Sequence, residues 1–291
     1  GSTGADHFRN TMTLANVAYE PTLTWADPRV RNLEAQVLVP LTNEHPIEMG
    51  FAGHREELVA RLRRDEQYER MFSDAFPDVA QPITLSNVAK AIASFERTII
   101  SGRSPYDCLV HDADSAALSP SARRGMQLFF SERLRCSSCH GGFTFGGSAV
   151  TAEGNEGPPP AFHNTGTFDG RGTDRGLATI SGRRRDVGRF RAPTLRNVAI
   201  TAPYMHDGGM ETLGQVIDHY AAGGPPRPGQ KVELQPFVIT SQEKRDLIEF
   251  LQSLTDVELL TDAKLGDPRS SSSVAPRVSL AAPPLTVGSR D

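Results

Sequence analysis

A mainly α-helical fold is predicted for this chain of 291 residues on three observations. Apolar residues recur at helical spacing behind recognisable caps, no stretch sustains the alternation of a strand, and Cys136-Ser137-Ser138-Cys139-His140 has CxxCH spacing. That spacing sets two sulfurs about one turn apart, roughly the span of the porphyrin vinyl groups, and delivers the histidine beneath the iron. The motif predicts a helical c-type cytochrome domain, with covalent haem c on Cys136 and Cys139 and His140 as axial ligand. Zinc would need further Cys or His ligands at paired spacing, whereas Cys108 stands alone and is expected to be a half-buried free thiol. A thioredoxin-like site is excluded because no βαβ pattern surrounds the pair.

The elements follow in chain order. The start is irregular and punctuated by proline through Pro46. Glu56 to Phe72, with Leu58, Leu62, Met71 and Phe72 among charges, predicts an amphipathic surface helix. After Pro82, Thr84 or Ser86 can cap a helix whose Val88, Ile92, Phe95 and Ile99 fall on one stripe, expected to be buried. Ser101-Gly102-Arg103-Ser104-Pro105 reads as the turn that divides the chain into domains 1–104 and 105–265. Ser119-Pro120 starts a helix that runs through Met126, Leu128 and Phe129 into the CxxCH motif. Gly141 to Arg196 is loop-rich, as suits a wrap around a flat cofactor. Its Arg183, Arg184, Arg185, Arg189, Arg191 and Arg196 are expected to be solvated, with one or two free to meet haem propionates. Glu211 to Ala222 predicts a helix capped near Thr212 and stopped by Gly223-Gly224. Thr240-Ser241-Gln242-Glu243 is a capping box before Leu247, Ile248, Leu251 and Leu254. Beyond Gly266 the composition turns to Ser, Pro and small residues, and 266–291 is expected to be a disordered tail.

Composition narrows the function. A net charge of −4 gives no support to nucleic-acid binding, and no apolar run approaches a membrane span. Three cysteines are too few for a disulfide framework. The chain opens at Gly1-Ser2-Thr3-Gly4 with no charged or apolar leader, although bacterial haem attachment follows export, so a signal sequence is expected upstream.

The helix from Glu211 places Leu213, Val216, Ile217 and Tyr220 at i, i+3, i+4 and i+7, which sets Tyr220 on its buried stripe. A buried phenol hydroxyl needs a partner, either backbone or an iron opposite His140. Met205 and Met210 are rival ligands that lie off the stripe.

Several strings resemble the bacterial di-haem cytochrome c peroxidase superfamily, in its MauG/MbnH-type branch. They are Leu33-Glu34-Ala35-Gln36, Pro46-Ile47-Glu48-Met49-Gly50, Ala93-Ser94-Phe95-Glu96-Arg97-Thr98, the CxxCH motif, Arg191-Ala192-Pro193-Thr194-Leu195-Arg196-Asn197-Val198 and Ala202-Pro203-Tyr204-Met205-His206-Asp207-Gly208. The resemblance implies two cytochrome c-like helical haem domains in tandem, the first truncated here, with calcium between them. The family carries two CxxCH motifs, and the first is expected upstream of Thr3-Gly4.

By the same resemblance Tyr220 is the distal ligand of the second haem, Trp25 the inter-haem tryptophan and Glu48 the acid/base at the peroxide-binding haem. Gln36 and Pro40 line that haem's distal pocket. Asn16, by its side chain, and Thr201 and Pro203, by their carbonyls, are the calcium ligands. Leu134 stands about where one member of the branch uses a tryptophan to reach its protein substrate. An anionic phenolate favours ferric and higher iron. The implied activity is therefore a periplasmic oxidoreductase that uses hydrogen peroxide to oxidise a partner protein. An ordinary cytochrome c peroxidase and a mono-haem electron-transfer protein are the alternatives.

Overall fold

The computed structural model describes residues 1–45, 47–152, 154–156, 160–167, 174–225 and 232–268. The serine-rich tail from 269 onward and Pro46 lie outside the described residues.

Helices dominate, as expected. In chain order they are α1 (Leu33–Thr42), α2 (Arg55–Arg63), α3 (Glu66–Ala75), α4 (Leu85–Glu96), α5 (Pro105–His111), α6 (Pro120–Phe129), α7 (Ala178–Ser181), α8 (Leu213–Ala221), α9 (Ser241–Gln252) and α10 (Val257–Thr261). The loop-rich middle holds two small antiparallel pairs, β1 (Ala149–Thr151) with β2 (Gly154–Glu156) and β3 (Phe162–His163) with β4 (Phe190–Arg191).

Caps explain the helix starts. Ser119 accepts from Ala122 N ahead of Pro120, and Thr212 and Thr240 each close a capping box, with Gln215 and Glu243. Three expectations change. Leu33–Thr42 is helical rather than irregular: the Asn32 side chain caps it by accepting from Ala35 N, and Pro40 falls only two residues before its end. The single helix expected over 56–72 is two, because the Asp65 side chain turns inward to accept from Gln67 N and starts a new helix. Ser104 and Pro105 begin α5 through a capping box with Asp107, where a simple turn was expected.

The main core joins α6 to α9. Phe129, Leu134, Phe145, Ile217, Leu247, Phe250, Leu251 and Leu254 are buried together, with Cys136 packed against them. Gly125 makes this possible, since a Cβ there would lie 1.9 Å from the Asp246 carbonyl oxygen. Below that contact Asp246 accepts from Arg124, Ser121 and Gln242.

On α4 the buried face is Val88, Ala89, Ala93 and Glu96, while Ile92 and Phe95 are 37% and 47% exposed. The expected stripe is therefore rotated: α4 turns its small residues to α1, and two of its large ones face out.

The two halves repeat one device. Leu14-Ala15-Asn16-Val17-Ala18 and Leu195-Arg196-Asn197-Val198-Ala199 each place Asn in the left-handed region, at φ 59° and 60°, ahead of a short 3-10 turn. Asn16 N donates to Ile99 O, and Asn197 N donates to Leu254 O, just past the ends of α4 and α9. The amide of Asn16 donates to Ser101 O and accepts from Ser101 N, while that of Asn197 donates to Ser101 Oγ and accepts from Asp256 N. Both repeats converge on the buried Ser101.

Candidate haem site

Cys136 to Ser138 form a single 3-10 turn entered from Arg135 in the left-handed region. Cys139 N and His140 N both donate to Cys136 O, at 3.3 and 3.0 Å, which sets the two thiols and the imidazole on one turn of backbone. The chain then doubles back: Gly147 N donates to Gly141 O and Phe145 N donates to Gly142 O. Gly147 must be bare there, since its φ is +94° and a Cβ would sit 3.0 Å from Cys139 O.

The returning loop presents the Phe145 carbonyl oxygen 3.0 Å from His140 Nδ1. A carbonyl only accepts, so Nδ1 carries the proton and Nε2 keeps its lone pair for a metal. Burial, aided by the charge of His163, holds the imidazole's pKa below the usual histidine value, against the raising effect of the Phe145 and Pro193 carbonyls. A neutral imidazole oriented by a backbone carbonyl is what a metal ligand needs.

The two thiols differ. Burial pushes Cys136 up to about 12. Burial also works to raise Cys139, but the hydrogen bond and charge of His163, whose Nδ1 lies 3.8 Å from Sγ, outweigh it. His163 in turn is pushed up to about 9 by Cys139 and then Glu233, whose carboxylate accepts from it at 2.7 Å and pairs with Arg189.

Tyr220 comes from α8. Burial raises its pKa, and the neighbouring Cys139 and Cys136 raise it further, so the phenol stays protonated unless a cation draws off the proton. No described residue hydrogen-bonds its hydroxyl. The donor set fits haem c: two thiols for thioether bonds, an imidazole with Nε2 available and a phenol beside both sulfurs. Met205 and Met210 lie in the loop before α8, where Tyr204 N donates to Met210 O.

The other residues singled out from sequence fall elsewhere. Gln36 and Pro40 are one turn apart on α1. Met49 N donates to Pro40 O and Phe51 N donates to Leu41 O, so Glu48 is brought to the same end of that helix. His7 Nε2 lies 3.6 Å from its carboxylate, a neighbour with no sequence signal. Trp25 is buried against Ala26, Phe190, Met12 and Val187, and its indole N–H donates to Asn10 O.

The Asn16 amide donates to Ser101 O and accepts from Ser101 N in the interior. The side chain that reaches Pro203 O, at 2.5 Å, belongs to Asn10. The arginines of the middle segment also divide. Arg183, Arg184 and Arg185 are exposed as expected. Arg191 and Arg196 are instead buried, against Glu20 and Asp107, because each lies where the loop crosses the interior.

No helix among the described residues is long and apolar enough to cross a membrane. The family model for di-haem cytochrome c peroxidase matches residues 1–115. The methylamine utilization protein MauG of Methylorubrum extorquens is 32% identical over 246 residues, which span 84% of this chain and 64% of the relative, just under two thirds of its length. Cytochrome-c peroxidase IdrP1 of Denitromonas iodatirespirans is 33% identical over 281 residues, 89% of this chain and 72% of that protein. The crystal structure of a MauG-like protein associated with microbial copper homeostasis matches at a TM-score of 0.83 and 40% identity, over 92% of this chain and 81% of that one. A CxxCH turn on a helical scaffold, matched over most of its length by relatives of one kind, identifies the chain: it belongs to the di-haem cytochrome c peroxidase family, in its MauG-type branch.

Proposed function

We propose that the chain is a haem c-dependent oxidoreductase that takes oxidising equivalents from hydrogen peroxide and passes them to a partner protein in the periplasm. Haem c, when bound, supplies an iron able to hold those equivalents. Cys136 and Cys139 would anchor it by thioether bonds, His140 would ligate through Nε2 and Tyr220 would face it as an anionic oxygen donor. The observation that carries this reading is the His140 Nδ1 contact with Phe145 O, which fixes the metal-binding tautomer directly after the CxxCH turn.

At the peroxide-binding haem of the family's first domain, Glu48 would serve as acid/base, accepting a proton from peroxide and returning it to the leaving oxygen, with Gln36 and Pro40 lining the pocket. Trp25, buried and held by Asn10, would release an electron to the oxidised site and recover it from the partner. For calcium, hard oxygen donors must converge, and Asn10, whose amide already reaches Pro203 O, stands beside Asn16 as the side chain that would join the carbonyls of Thr201 and Pro203.

The test is attachment. Periplasmic expression with haem-maturation machinery should give a band that keeps its haem stain after denaturation, and C136S and C139S variants should each weaken it. A colourless band from well-matured wild-type chain refutes the reading.

A further inference from the structure

Two buried arginine–carboxylate pairs flank the loop that holds His140, and they are not equivalent. Arg196 with Asp107 is complete: both guanidinium NH2 groups donate to Asp107, Nε donates to Phe143 O, and Asp107 also accepts from Ser104. Arg191 with Glu20 is not. Arg191 NH1 donates to Glu20 Oε2 and NH2 reaches Met12 Sδ at 3.5 Å, yet Arg191 Nε and Glu20 Oε1 are buried without a hydrogen-bond partner. The Glu20 and Arg191 side chains are only 4% and 8% exposed. A pair kept for stability alone gains from having every polar atom satisfied.

The position of the pair is specific. A Cβ on Gly146 would stand 3.2 Å from Glu20 Oε1, so the glycine lets the open carboxylate oxygen reach the loop at the residue after Phe145, whose carbonyl holds His140. On the other side Arg191 N donates to Trp25 O at 2.8 Å, and Met12, which the guanidinium reaches, packs against the cluster of Trp25, Ala26 and Phe190. The pair therefore borders the His140 loop at Gly146 through Glu20 and joins the backbone of Trp25 through Arg191. In a poorly solvated interior one unit of charge acts over many ångströms.

We propose that Glu20 is a positioning residue for the redox site, its carboxylate holding down the reduction potential of an iron ligated by His140 through the Gly146 edge of the ligand loop. The inference rests on the haem reading above. The couple concerned is one electron added to ferric iron, with no proton taken up by Glu20. Negative charge beside the site disfavours that electron, which keeps the site oxidised. Arg191 NH1, which donates to Glu20 Oε2, is the cation that balances the carboxylate in the interior.

The test is spectroelectrochemical titration of the haem-loaded 291-residue chain. E20Q, close in shape to the native side chain, should shift the midpoint potential upward, and E20Q/R191Q should return it toward wild type. Structural damage would accumulate in the double variant instead of cancelling. If E20Q fails to fold, E20D carries the test: it keeps the charge but withdraws it from Gly146, and a smaller rise is expected. Haem-loaded variants with an unchanged potential, or a double variant displaced further than E20Q, overturn the proposal alone. A wild-type chain that takes no covalent haem overturns the haem reading and this proposal with it.

Discussion

Replacing Gly125 by alanine is expected to destabilise the α6–α9 pair under the CxxCH turn. The new methyl group would land 1.9 Å from the Asp246 carbonyl oxygen and 2.9 Å from Phe250 Cβ. Both obstacles are fixed parts of α9, so the helices must part by roughly 1 Å, an overpacking strain of about 1–3 kcal/mol. The parting also stretches the hydrogen bonds from Arg124 and Ser121 to Asp246, which now span 2.5 to 2.8 Å. Against this, alanine gains about 1 kcal/mol over glycine in a helix. With the strain near the top of its range, the net expectation is a loss of about 2 kcal/mol, or roughly 4–8 °C in Tm for a domain of this size. Thermal unfolding followed by circular dichroism reads it directly, with G102A as control, because a Cβ at Gly102 meets nothing within 4 Å. A G125A chain that melts within about 2 °C of wild type would refute the claim that this contact is closed.

Further expectations concern charge, ligation and the buried asparagines. Arg124 and then Ser121 hold the Asp246 carboxyl well below the usual range, with burial opposing. A depressed folded pKa contributes stability above the unfolded value of about 4 and loses it as pH falls below that, so D246N should flatten the acid side of a urea-denaturation series from pH 7 to pH 3. In the haem-loaded chain Y220F should change the spin state seen in the absorption spectrum, and an unchanged spectrum would return Tyr220 to the role of a packing residue. N16A strands the backbone N–H and C=O of Ser101 and leaves alanine in the left-handed region. A loss of about 3 kcal/mol or more is expected by urea denaturation, with N16G milder by roughly 1 kcal/mol.

Much was legible where chemistry is local. The caps at Ser119, Thr212 and Thr240, the CxxCH spacing and the stripe that carries Tyr220 all depend on neighbours within about two turns, and each helix formed where its cap stood. Distant partners were not legible. Arg191 and Arg196 look like surface charges until the fold supplies Glu20 and Asp107, which lie 171 and 89 residues away. Asn10 and Asn16 are alike in type and close in sequence. Only the third dimension shows that one turns to Pro203 and the other to Ser101. The rotation of α4 had the same origin: a helix bearing Ala89, Ala93, Ile92 and Phe95 has two apolar faces, and close approach to α1 selected the one with small residues.

The convergence of Asn16 and Asn197 on Ser101 bears on how the molecule opens. One residue holds the closure of both helical halves, and its neighbours Gly102 and Arg103 donate to Asp256, which Asn197 also holds. Asn16 holds the Ser101 peptide and Asn197 its hydroxyl, so the release of either half breaks a bond to the same buried residue. Solvent reaches that peptide only when the two halves come apart together, so the Ser101 amide should be among the last in the chain to trade its hydrogen for deuterium, at the rate of global unfolding.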